Sequence, residues 1–387
     1  MIIGVLKETF PGERRVAMIP ATLPALSKLG LEVVVETGAG VSAGFTDSAY
    51  REKGARLGSR GDVLAADVLL AVRSLAASGF TPDPDLSGLR KDQVVIGFLD
   101  PLGAPRGAKA LADRGVTAFS LELVPRTTRA QVMDALSSTA TIVGYRAVLL
   151  AADALPRMFG MLMTAGGTLA PAKVLVMGVG VAGLQAIATA RRLGAVVQAY
   201  DIRPAVKEQV QSLGAKFVEL PLETQDAQDA GGYAKAMGDD FLRRQRELMT
   251  KVVAESDVVI ATAAVPGKKA PVLVTAGMVD AMQAGSVIVD VAAEQGGNCE
   301  LTKPGQTSTR NGVTILGPLN PAAAVPGHAS QMYAKNLANF LALLVKDGSF
   351  VLNETDDIVR ETLVARAGEI TNPRVREALA QAGNEKR

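Results

Sequence analysis

The chain has 387 residues, of which 48% are hydrophobic, so it can form two or three domains with substantial apolar cores. Its 41 lysine and arginine residues nearly balance 39 aspartate and glutamate residues, and the formal charge of +2 gives no indication of a nucleic-acid-binding surface. The single cysteine, Cys299, cannot form an internal disulfide or a zinc cluster, so a reducing cytoplasm and no metal site are expected.

The first third of the sequence alternates β-rich apolar runs with segments of helical character. The N-terminal MIIGVLKETF has too short an apolar start for a secretory signal and is predicted to contain a strand, and no segment of the chain is predicted to span a bilayer. Strands are predicted at residues 2–6, 31–38, 66–72, 92–99 and 116–123, with a helix at 21–29. This alternation predicts a parallel sheet covered by helices on both faces.

A long connecting helix is predicted in the second half of residues 126–150, because helical spacing continues there with no strong breaker until Pro156. A second alternating series follows, with strands predicted at residues 173–178, 195–201, 216–220, 256–263, 286–292 and 313–317. Their number matches a complete dinucleotide-binding sheet. A further amphipathic helix starting at Asn336 is predicted to pack on the first domain, whereas the polar segment from Asn372 is predicted to be a frayed tail.

The predicted fold class is therefore α/β, with two Rossmann-like domains built on parallel sheets. The first domain is predicted to be discontinuous, comprising residues 1–135 and a C-terminal segment, 322–387, that completes it. Residues 136–321 are predicted to form the dinucleotide-binding domain.

A glycine motif follows the first strand of the second series. Gly178, Gly180 and Gly183 give G-x-G-x-x-G, with Val181 and Ala182 between the second and third glycines. The first glycine allows a tight turn, the second lets the backbone approach a pyrophosphate, and the third lets the next helix close on the strand. Glycine makes up 39 of the 387 residues, so the motif alone is a weak signal, and its position between a strand and a helix is what predicts a nucleotide site.

An acidic residue lies where such a site needs one. Asp201 ends the next predicted strand, 201 − 183 = 18 residues after the last glycine, where a carboxylate can accept both ribose hydroxyls. Because it would repel a 2′-phosphate, we expect NAD(H) in preference to NADP(H), with Ile202 beside the ribose. Arg203 weakens this preference, since an arginine can accommodate the phosphate. The alternative is a structural glycine turn beside an exposed Asp201.

Several segments together resemble a known family. They are RVAMIP (15–20), PRTTRAQVMDALSS (125–138), GVGVAGLQAIATA (178–190), GGYAKAMG (231–238), VPGKKAP (265–271) and VDVAAEQGGNCE (290–300). These segments resemble the NAD(H)-binding domain of proton-translocating nicotinamide nucleotide transhydrogenase, and the similarity covers nearly the whole chain. Alanine dehydrogenase looks like a more distant relative with the same two-domain plan.

Chemistry separates the two relatives. Alanine oxidation requires proton removal, for which alanine dehydrogenase uses a histidine, with a lysine that binds the substrate. In this sequence the stretch that resembles the histidine motif is GFLDPLG, with Asp100, and the stretch that resembles the lysine motif is LLAVRS, with Arg73. Arginine does not lose its proton in a protein, and an aspartate with an ordinary pKa of about 3.9 is a weak base. The groups needed for alanine oxidation are therefore missing.

The resemblance to transhydrogenase implies a reaction that needs no base. Hydride passes directly from NADH to NADP⁺ on a partner subunit, so the two C4 atoms must come within about 3–3.5 Å while water is excluded. It also implies a Re/Si-specific enzyme coupled to proton translocation, a homodimer, and a peripheral location on the cytoplasmic face, with a membrane-spanning subunit and an NADP(H)-binding beta subunit as partners. A stand-alone amino-acid dehydrogenase and a non-catalytic NAD(H) sensor remain as alternatives.

The same resemblance assigns roles to particular residues. Arg126, Gln131 and Asp134 match a loop that positions the nicotinamide, followed by Ser137 and Ser138; the alternative is that they are ordinary helix-start and capping residues. Tyr233 and Gly232 match a mobile loop that closes over the cofactor, or else form a plain surface loop. Further cofactor contacts are implied at Gln245, Ala264, Val265, Pro266 and Gly267.

Four other polar residues are predicted to be structural. Arg15 would bind a substrate carboxylate in alanine dehydrogenase, but transhydrogenases resemble this sequence there too, so it does not discriminate. Glu294 resembles the position of a catalytic aspartate, yet it lacks a histidine partner. His328, the single histidine, is expected to be a packed or hydrogen-bonded loop residue, and Cys299 a buried small apolar residue.

Overall fold

A computed structural model describes residues 1–73, 75, 84–221 and 238–384 of the chain. These residues fall into two compact units. Unit 1 comprises Met1–Thr139 and Ala323–Arg387, and unit 2 comprises Ala140–Ala322.

The first segment of unit 1 alternates strands with short helices. In chain order these are β1 (Ile2–Val5), α1 (Leu23–Lys28), β2 (Glu32–Glu36), α2 (Asp47–Glu52), β3 (Arg56–Gly58), α3 (Arg60–Leu64), β4 (Val68–Leu70), β5 (Val94–Gly97), α4 (Pro105–Asp113) and β6 (Thr117–Ser120). Helix α5 (Ala135–Ala154) then continues from the residues of unit 1 into those of unit 2. The strand interiors are almost wholly buried, as is typical of parallel strands covered on both faces.

Unit 2 repeats the alternation after a short hairpin. Its elements are β7 (Leu162–Thr164), β8 (Gly167–Leu169), β9 (Lys173–Met177), α6 (Val181–Arg192), β10 (Val196–Tyr200), α7 (Lys207–Ser212), β11 (Lys216–Phe217), α8 (Asp239–Ala254), β12 (Val258–Ala261), α9 (Ala276–Asp280), β13 (Val287–Asp290), β14 (Thr307–Arg310) and β15 (Val313–Leu316). The hairpin β7–β8 and strand β14 were not expected from the sequence.

The C-terminal segment returns to unit 1. It contains α10 (Pro326–Leu344), β16 (Val345–Lys346), β17 (Ser349–Phe350), α11 (Asp357–Thr362), β18 (Leu363–Arg366), β19 (Glu369–Ile370) and α12 (Pro373–Asn384). The prediction of a frayed tail from Asn372 is wrong. The Asn372 side chain accepts hydrogen bonds from the amides of Arg374 and Val375 at the start of α12, and Val375 is fully buried. The polar composition of this segment gave no helical pattern, although the helix is capped by Asn372 at its start and held to the core by Val375.

Both large sheets have the strand order of a dinucleotide-binding fold. Within the described residues of unit 1, parallel strands run in the order β3-β2-β1-β4-β5-β6, and β18 and β19 extend the sheet antiparallel beyond β6. In unit 2 the order is β11-β10-β9-β12-β13-β15, with β14 antiparallel at the edge. In each sheet the strand order reverses between the two central strands, β1 and β4 or β9 and β12. This switch point leaves a crevice at the carboxyl ends of those strands, where α/β sheets bind ligands. The predicted α/β class with parallel sheets is confirmed.

The C-terminal segment contributes a large part of one face of the unit 1 core. Leu337, Phe340, Leu341 and Leu344 of α10 are buried among strand residues such as Ile3 and Val35, and the Phe119 and Phe340 ring centroids lie 5.6 Å apart. Removing α10 would expose that face of the sheet to water, at a cost of about 1.5–3 kcal/mol for each large apolar side chain. The first unit is therefore discontinuous in sequence and complete only with its C-terminal segment.

Helix α5 is long and apolar enough to cross a membrane by length and composition. This is a weak indication, because a helix packed in the core of a soluble protein passes the same test, and 33% of its most apolar stretch is buried. Ala147, Val148 and Ala151 lie fully buried against Val174 and Val176 of β9 in the core of unit 2. Some of its apolar surface is thus explained by packing.

Candidate dinucleotide-binding site

The glycine motif forms a tight turn at the switch point of the unit 2 sheet. Gly178 directly follows β9 and has φ of +92°, which favours glycine. A Cβ on Gly183 would lie 2.0 Å from the Gly178 carbonyl oxygen, so only glycine lets α6 come this close to the turn. The Thr262 hydroxyl, just after β12, donates to that same carbonyl at 2.7 Å. These contacts set the start of α6 beside the carboxyl ends of β9 and β12.

The N-terminus of α6 is open to solvent. Gly180 is exposed at the N-cap position, and no atom lies within 4 Å of where its Cβ would be. Val181 and Ala182 are half-buried in the first turn, whose unpaired amides carry the positive end of the helix dipole. An open helix N-terminus with room for close backbone approach is the geometry that binds a pyrophosphate.

Asp201 is buried beside the glycine turn and is fully engaged. Its carboxylate accepts from the Val179 amide at 2.7 Å and from the backbone amide, Nε and Nη2 of Arg203 at 2.7–2.9 Å. A carboxylate has about four acceptor positions, and these four bonds occupy them. Ribose hydroxyls can therefore reach Asp201 only if donors of Arg203 give way. Neighbouring Ile202 is half-buried.

A second turn at the same sheet edge follows β12. Ala264 and Gly267 are exposed, Val265 and Pro266 are half-buried, and Gly267 has φ of +73°. The turn is held from behind by Asn298, whose amide accepts from Ala263 N at 3.0 Å and donates to the carbonyls of Ala263 and Pro271 at 2.8 Å.

Asn298 was not predicted from the sequence. It is fully buried, and the Asp290 carboxylate fixes it by accepting from its backbone amide at 2.7 Å. The only available signal was a Gly-Gly-Asn segment placed shortly after an apolar strand. Such a segment indicates a turn, but it does not indicate which neighbouring turn the amide supports.

Gln245 is buried and contacts the strand that carries Asp201. Its Nε2 donates to the Tyr200 hydroxyl at 2.9 Å, and among the described residues its Oε1 has no hydrogen-bond partner. An unpaired buried acceptor is costly, so this oxygen is a ready acceptor for a donor that enters the site.

The residues matched to the nicotinamide loop lie in unit 1 and at the start of α5. Arg126 and Gln131 are exposed. Asp134 accepts from the Ser137 amide at 2.8 Å and from its hydroxyl at 2.5 Å, so it caps the first turn of α5. Ser138 is half-buried. The capping alternative therefore holds for Asp134, which positions Ser137 by the same contacts. Gly232 and Tyr233, assigned to the mobile loop, lie outside the described residues.

The residues at the positions matched to the catalytic groups of alanine dehydrogenase make structural contacts. The Arg15 guanidinium is buried and bonds in bidentate fashion to Glu13 at 2.7 and 2.8 Å. Arg73 stacks on the Phe10 ring at 3.8 Å, and exposed Asp100 begins a turn with φ of +43°.

A buried carboxylate, Glu122, lies behind that turn. It accepts from the amides of Leu99 at 3.1 Å and Asp100 at 2.9 Å and from the Ser120 hydroxyl. Burial raises the pKa of Glu122 to about 7 because it penalises the charged form more than these bonds stabilise it. A carboxylate with that pKa could serve as a base, but both of its oxygens accept from backbone amides of the turn at Leu99 and Asp100.

The remaining polar candidates have structural surroundings. Glu294 is exposed and accepts from the Asn320 amide at 2.8 Å. His328 lies in the first turn of α10 and is exposed, so the expectation that it packs in a loop is wrong. Cys299 is buried as expected, and burial raises the pKa of its thiol. In the portion of the chain that the structure describes, no group of three or more His, Cys, Asp or Glu side chains could hold a metal ion.

Comparison with known proteins places this site in a family. The model of the alanine dehydrogenase/PNT N-terminal domain matches residues 4–143, and that of the C-terminal domain matches residues 147–373. The chain belongs to the alanine dehydrogenase/PNT family. It therefore has the two Rossmann-like domains predicted from the sequence, and its membership of this family implies NAD(H) binding.

Individual relatives favour the transhydrogenase branch. The chain is 47% identical over 379 residues to the first portion of the split NAD(P) transhydrogenase subunit alpha of Rhodospirillum rubrum, covering 96% of this chain and 98% of the relative. The crystal structure of transhydrogenase from Sinorhizobium meliloti matches with 44% identity and a TM-score of 0.86, covering 96% of this chain and all of that one. Alanine dehydrogenase of Bacillus subtilis is 32% identical over 84% of this chain and 81% of its own length. The chain is thus related to the alpha subunit of NAD(P) transhydrogenase.

The glycine geometry predicts opposite effects for two single substitutions. Gly183→Ala puts a methyl group against the Gly178 carbonyl and should lower the free energy of unfolding by about 1–3 kcal/mol in denaturant titration. Gly180→Ala meets open space at φ of −83° and should leave stability nearly unchanged. It should weaken NADH binding by about tenfold or more in calorimetry, since its methyl group fills the space for the pyrophosphate. Equal stability of the two variants would contradict the close approach of α6.

Glu122 should give the protein a defined pH dependence of stability. Its pKa is about 7 when folded and near the ordinary 4.5 when unfolded, so between these values the folded state holds a proton that the unfolded chain releases. The free energy of unfolding should then fall as pH rises across that window, by at most about 1.4 kcal/mol per pH unit. Glu122→Gln cannot titrate and should flatten this region of the profile. Denaturant unfolding at a series of pH values tests this, and parallel profiles for the two proteins would refute it.

Proposed function

We propose that this chain is the NAD(H)-binding subunit of a proton-translocating, Re/Si-specific NAD(P) transhydrogenase. In this reaction hydride passes directly between NADH on this chain and NADP⁺ on a partner subunit. The observation that carries the proposal is a nucleotide-type turn in unit 2 together with the lack of both alanine dehydrogenase groups: Asp100, a weak base, stands at the histidine position, and the stacked guanidinium of Arg73 stands at the lysine position. Residues 136–321 would be the NAD(H)-binding domain, and residues 1–135 with 322–387 the second domain.

The site fits the dinucleotide through its own groups. The open first turn of α6, with Gly178, Gly180, Val181, Ala182 and Gly183, would hold the pyrophosphate. Buried Asp201 with Ile202 would hold the ribose, which favours NAD(H) because a 2′-phosphate would meet its negative charge. Arg203 would withdraw from Asp201 on binding.

Two further groups of residues complete the cofactor site. Gln245 would offer its unpartnered Oε1, and the turn from Ala264 to Gly267, fixed by Asn298, would line the opposite side of the switch point. Both contributions come from elements that pack within unit 2.

The chain contributes positioning and exclusion of water, while bound NADH supplies the hydride. Exposed Arg126 and Gln131 would orient the nicotinamide carboxamide, and Asp134 would orient Ser137 beside them. Gly232 and Tyr233 would belong to the lid that excludes water. None of these groups has to accept a proton, which agrees with the absence of a histidine from this set.

A homodimer also belongs to the proposal. The hairpin β7–β8 and the residues before it expose several large apolar side chains: Met161 is 61% exposed, Met163 71% and Leu169 53%. Contiguous exposed apolar side chains mark interaction surfaces. We assign this hairpin to the contact with a second copy of the chain.

The remaining partners follow from the transhydrogenase reaction. An NADP(H)-binding beta subunit would supply the second nicotinamide, and a membrane-spanning subunit would couple transfer to proton movement. The chain would then be peripheral on the cytoplasmic face of the membrane. The name of the Rhodospirillum rubrum relative, which describes only the first portion of an alpha subunit, supports this division among polypeptides.

Mixing this chain with an NADP(H)-binding transhydrogenase component tests the function directly. Hydride transfer from NADH to an NADP⁺ analogue of distinct absorbance should appear only in the mixture. Gln131→Ala should slow the transfer by about tenfold or more with little change in NADH affinity, because misplacement of a reacting ring costs rate and not binding. Thr128→Ala, at an exposed position in the same loop, is the matched control.

Three results would contradict this proposal. Reduction of NAD⁺ by alanine with the purified chain alone would support a stand-alone dehydrogenase. Tight NADH binding without transfer in the mixture would support a sensor. Equal losses of rate and affinity in Gln131→Ala would remove its positioning role.

The dimer contact predicts a specific change in mass. Met163→Lys places a charge in the apolar hairpin surface and should convert dimers to monomers in sedimentation or light-scattering measurements. Val41→Lys, at a side chain that is 61% exposed in unit 1, should leave the dimer intact. A dimer that survives Met163→Lys would place the contact elsewhere.

A further inference from the structure

The loop that carries Arg126 and Gln131 is anchored at two points, both by the C-terminal segment of unit 1. At the first anchor, the Arg129 guanidinium donates to both carboxylate oxygens of Asp356, at 2.6 and 2.7 Å. Asp357 also contacts Arg129. Bidentate arginine–carboxylate pairs fix orientation as well as distance, so this contact holds the loop in one direction.

Asp356 is itself held in place by α11. Its Oδ1 accepts from the Ile358 amide at 2.9 Å and caps the helix. The Arg129 guanidinium lowers the pKa of Asp356 to about 2, so this carboxylate is charged at neutral pH. The first anchor is therefore a charged pair attached to a regular element.

The second anchor is a neutral amide on α10. Asn336 Nδ2 donates to the Val132 carbonyl at 2.9 Å, and Asn339, one turn later, donates to the same oxygen at 3.2 Å. Asn336 is only 7% exposed, and among the described residues its Oδ1 has no hydrogen-bond partner. Since the Val132 carbonyl can only accept, the amide must present its nitrogen to the loop.

Between the anchors the loop is internally rigid. Residues Gln131–Met133 form one 3₁₀ turn, closed by the Met133 amide donating to the Ala130 carbonyl at 2.8 Å. Ala130 and Met133 are buried, whereas Gln131 is exposed. The backbone on both sides of Gln131 is thus fixed, and its side chain is left to project.

We propose that Asn336 and the Arg129–Asp356 pair are positioning residues that pre-organise the Gln131 turn for hydride transfer. This inference rests on the proposed function, since it assigns these residues to the placement of Gln131. Asn336 donates from Nδ2 to the Val132 carbonyl of the turn, while its Oδ1 has no hydrogen-bond partner among the described residues. A buried amide with an unmet acceptor costs stability, and the hydrogen bond from Asn336 to the Val132 carbonyl offsets part of that cost.

The test compares variants of the full chain in the same mixture with the NADP(H)-binding component. Asn336→Asp is isosteric but replaces the donor with an oxygen that repels the Val132 carbonyl. It should slow transfer by about tenfold or more while the NADH dissociation constant changes less than about twofold. Asn339→Asp, with the longer bond to the same carbonyl, should lose less than about threefold. Lys335→Gln, exposed on the same helix, should transfer at the wild-type rate.

The charged anchor provides a second, independent set of variants. Asp356→Asn keeps an acceptor for the cap of α11 but loses the ion pair, and Arg129→Lys keeps the charge but not the bidentate geometry. Both should slow transfer, and Arg129→Lys should retain more activity than Arg129→Ala. Arg129 is about half exposed, so its variants test the proposal even where Asn336→Asp fails to fold.

Hydrogen exchange separates this inference from the proposed function. Amides 130–134 should exchange faster in Asn336→Asp than in wild type, whether or not any transfer occurs. If wild type transfers hydride but all of these variants match it, the positioning inference is overturned while the function stands. If wild type fails to transfer, the proposed function fails, and unchanged exchange in Asn336→Asp would then overturn the anchoring as well. Proportional losses of rate and NADH affinity would also overturn it, because they indicate general destabilisation.

Discussion

The arrangement of unit 2 depends on one close approach, that of helix α6 to the turn at Gly178. A methyl group on Gly183 would come within 2.0 Å of the Gly178 carbonyl oxygen, and a methyl group on Gly144 of α5 would come within 2.1 Å of the Ala182 carbonyl oxygen. Helix α6 is therefore pressed against the strand turn on one side and against α5 on the other, with a glycine at each contact. This double contact fixes where its free amides emerge, and the open space at Gly180 follows from it.

The sequence predicted the regular parts of both sheets, because continuous apolar runs of β-branched residues are typical of strands buried on both faces. Of the elements that escaped prediction, three show the reason clearly. Strand β14 is mostly exposed and polar, and it is a strand only because it pairs with β15. Hairpin β7–β8 is exposed throughout, so it lacks a burial pattern. Helix α12 is polar and depends on Asn372 and the buried Val375. In each case the element depends on a contact with another part of the chain, and the hydrophobic periodicity of its own sequence does not indicate that contact.

The candidate site was predictable where backbone geometry requires a residue type, and less so where a side chain supports another segment. Gly178 could be found because a left-handed turn selects glycine. Asn298 and Asn336 could not, because a buried amide has no fixed spacing from the turn that it supports. The pairing of Arg203 with Asp201 was also hidden: the sequence showed that both were near the ribose position, but not that they would occupy each other.

The supports of the two functional turns share a chemical property. Asn298 holds the 263–267 turn and Asn336 holds the 131–133 turn, and both do so with a buried neutral amide directed at backbone carbonyls. A buried charge in either place would perturb a reaction in which charge moves between two nicotinamide rings, since electrostatic effects are strong where water is excluded. An amide fixes the backbone with little field of its own. For direct hydride transfer of the proposed kind, a neutral amide therefore suits the buried anchor of the 131–133 turn, whereas the charged anchor, Arg129 with Asp356, lies partly exposed, where water screens its charges.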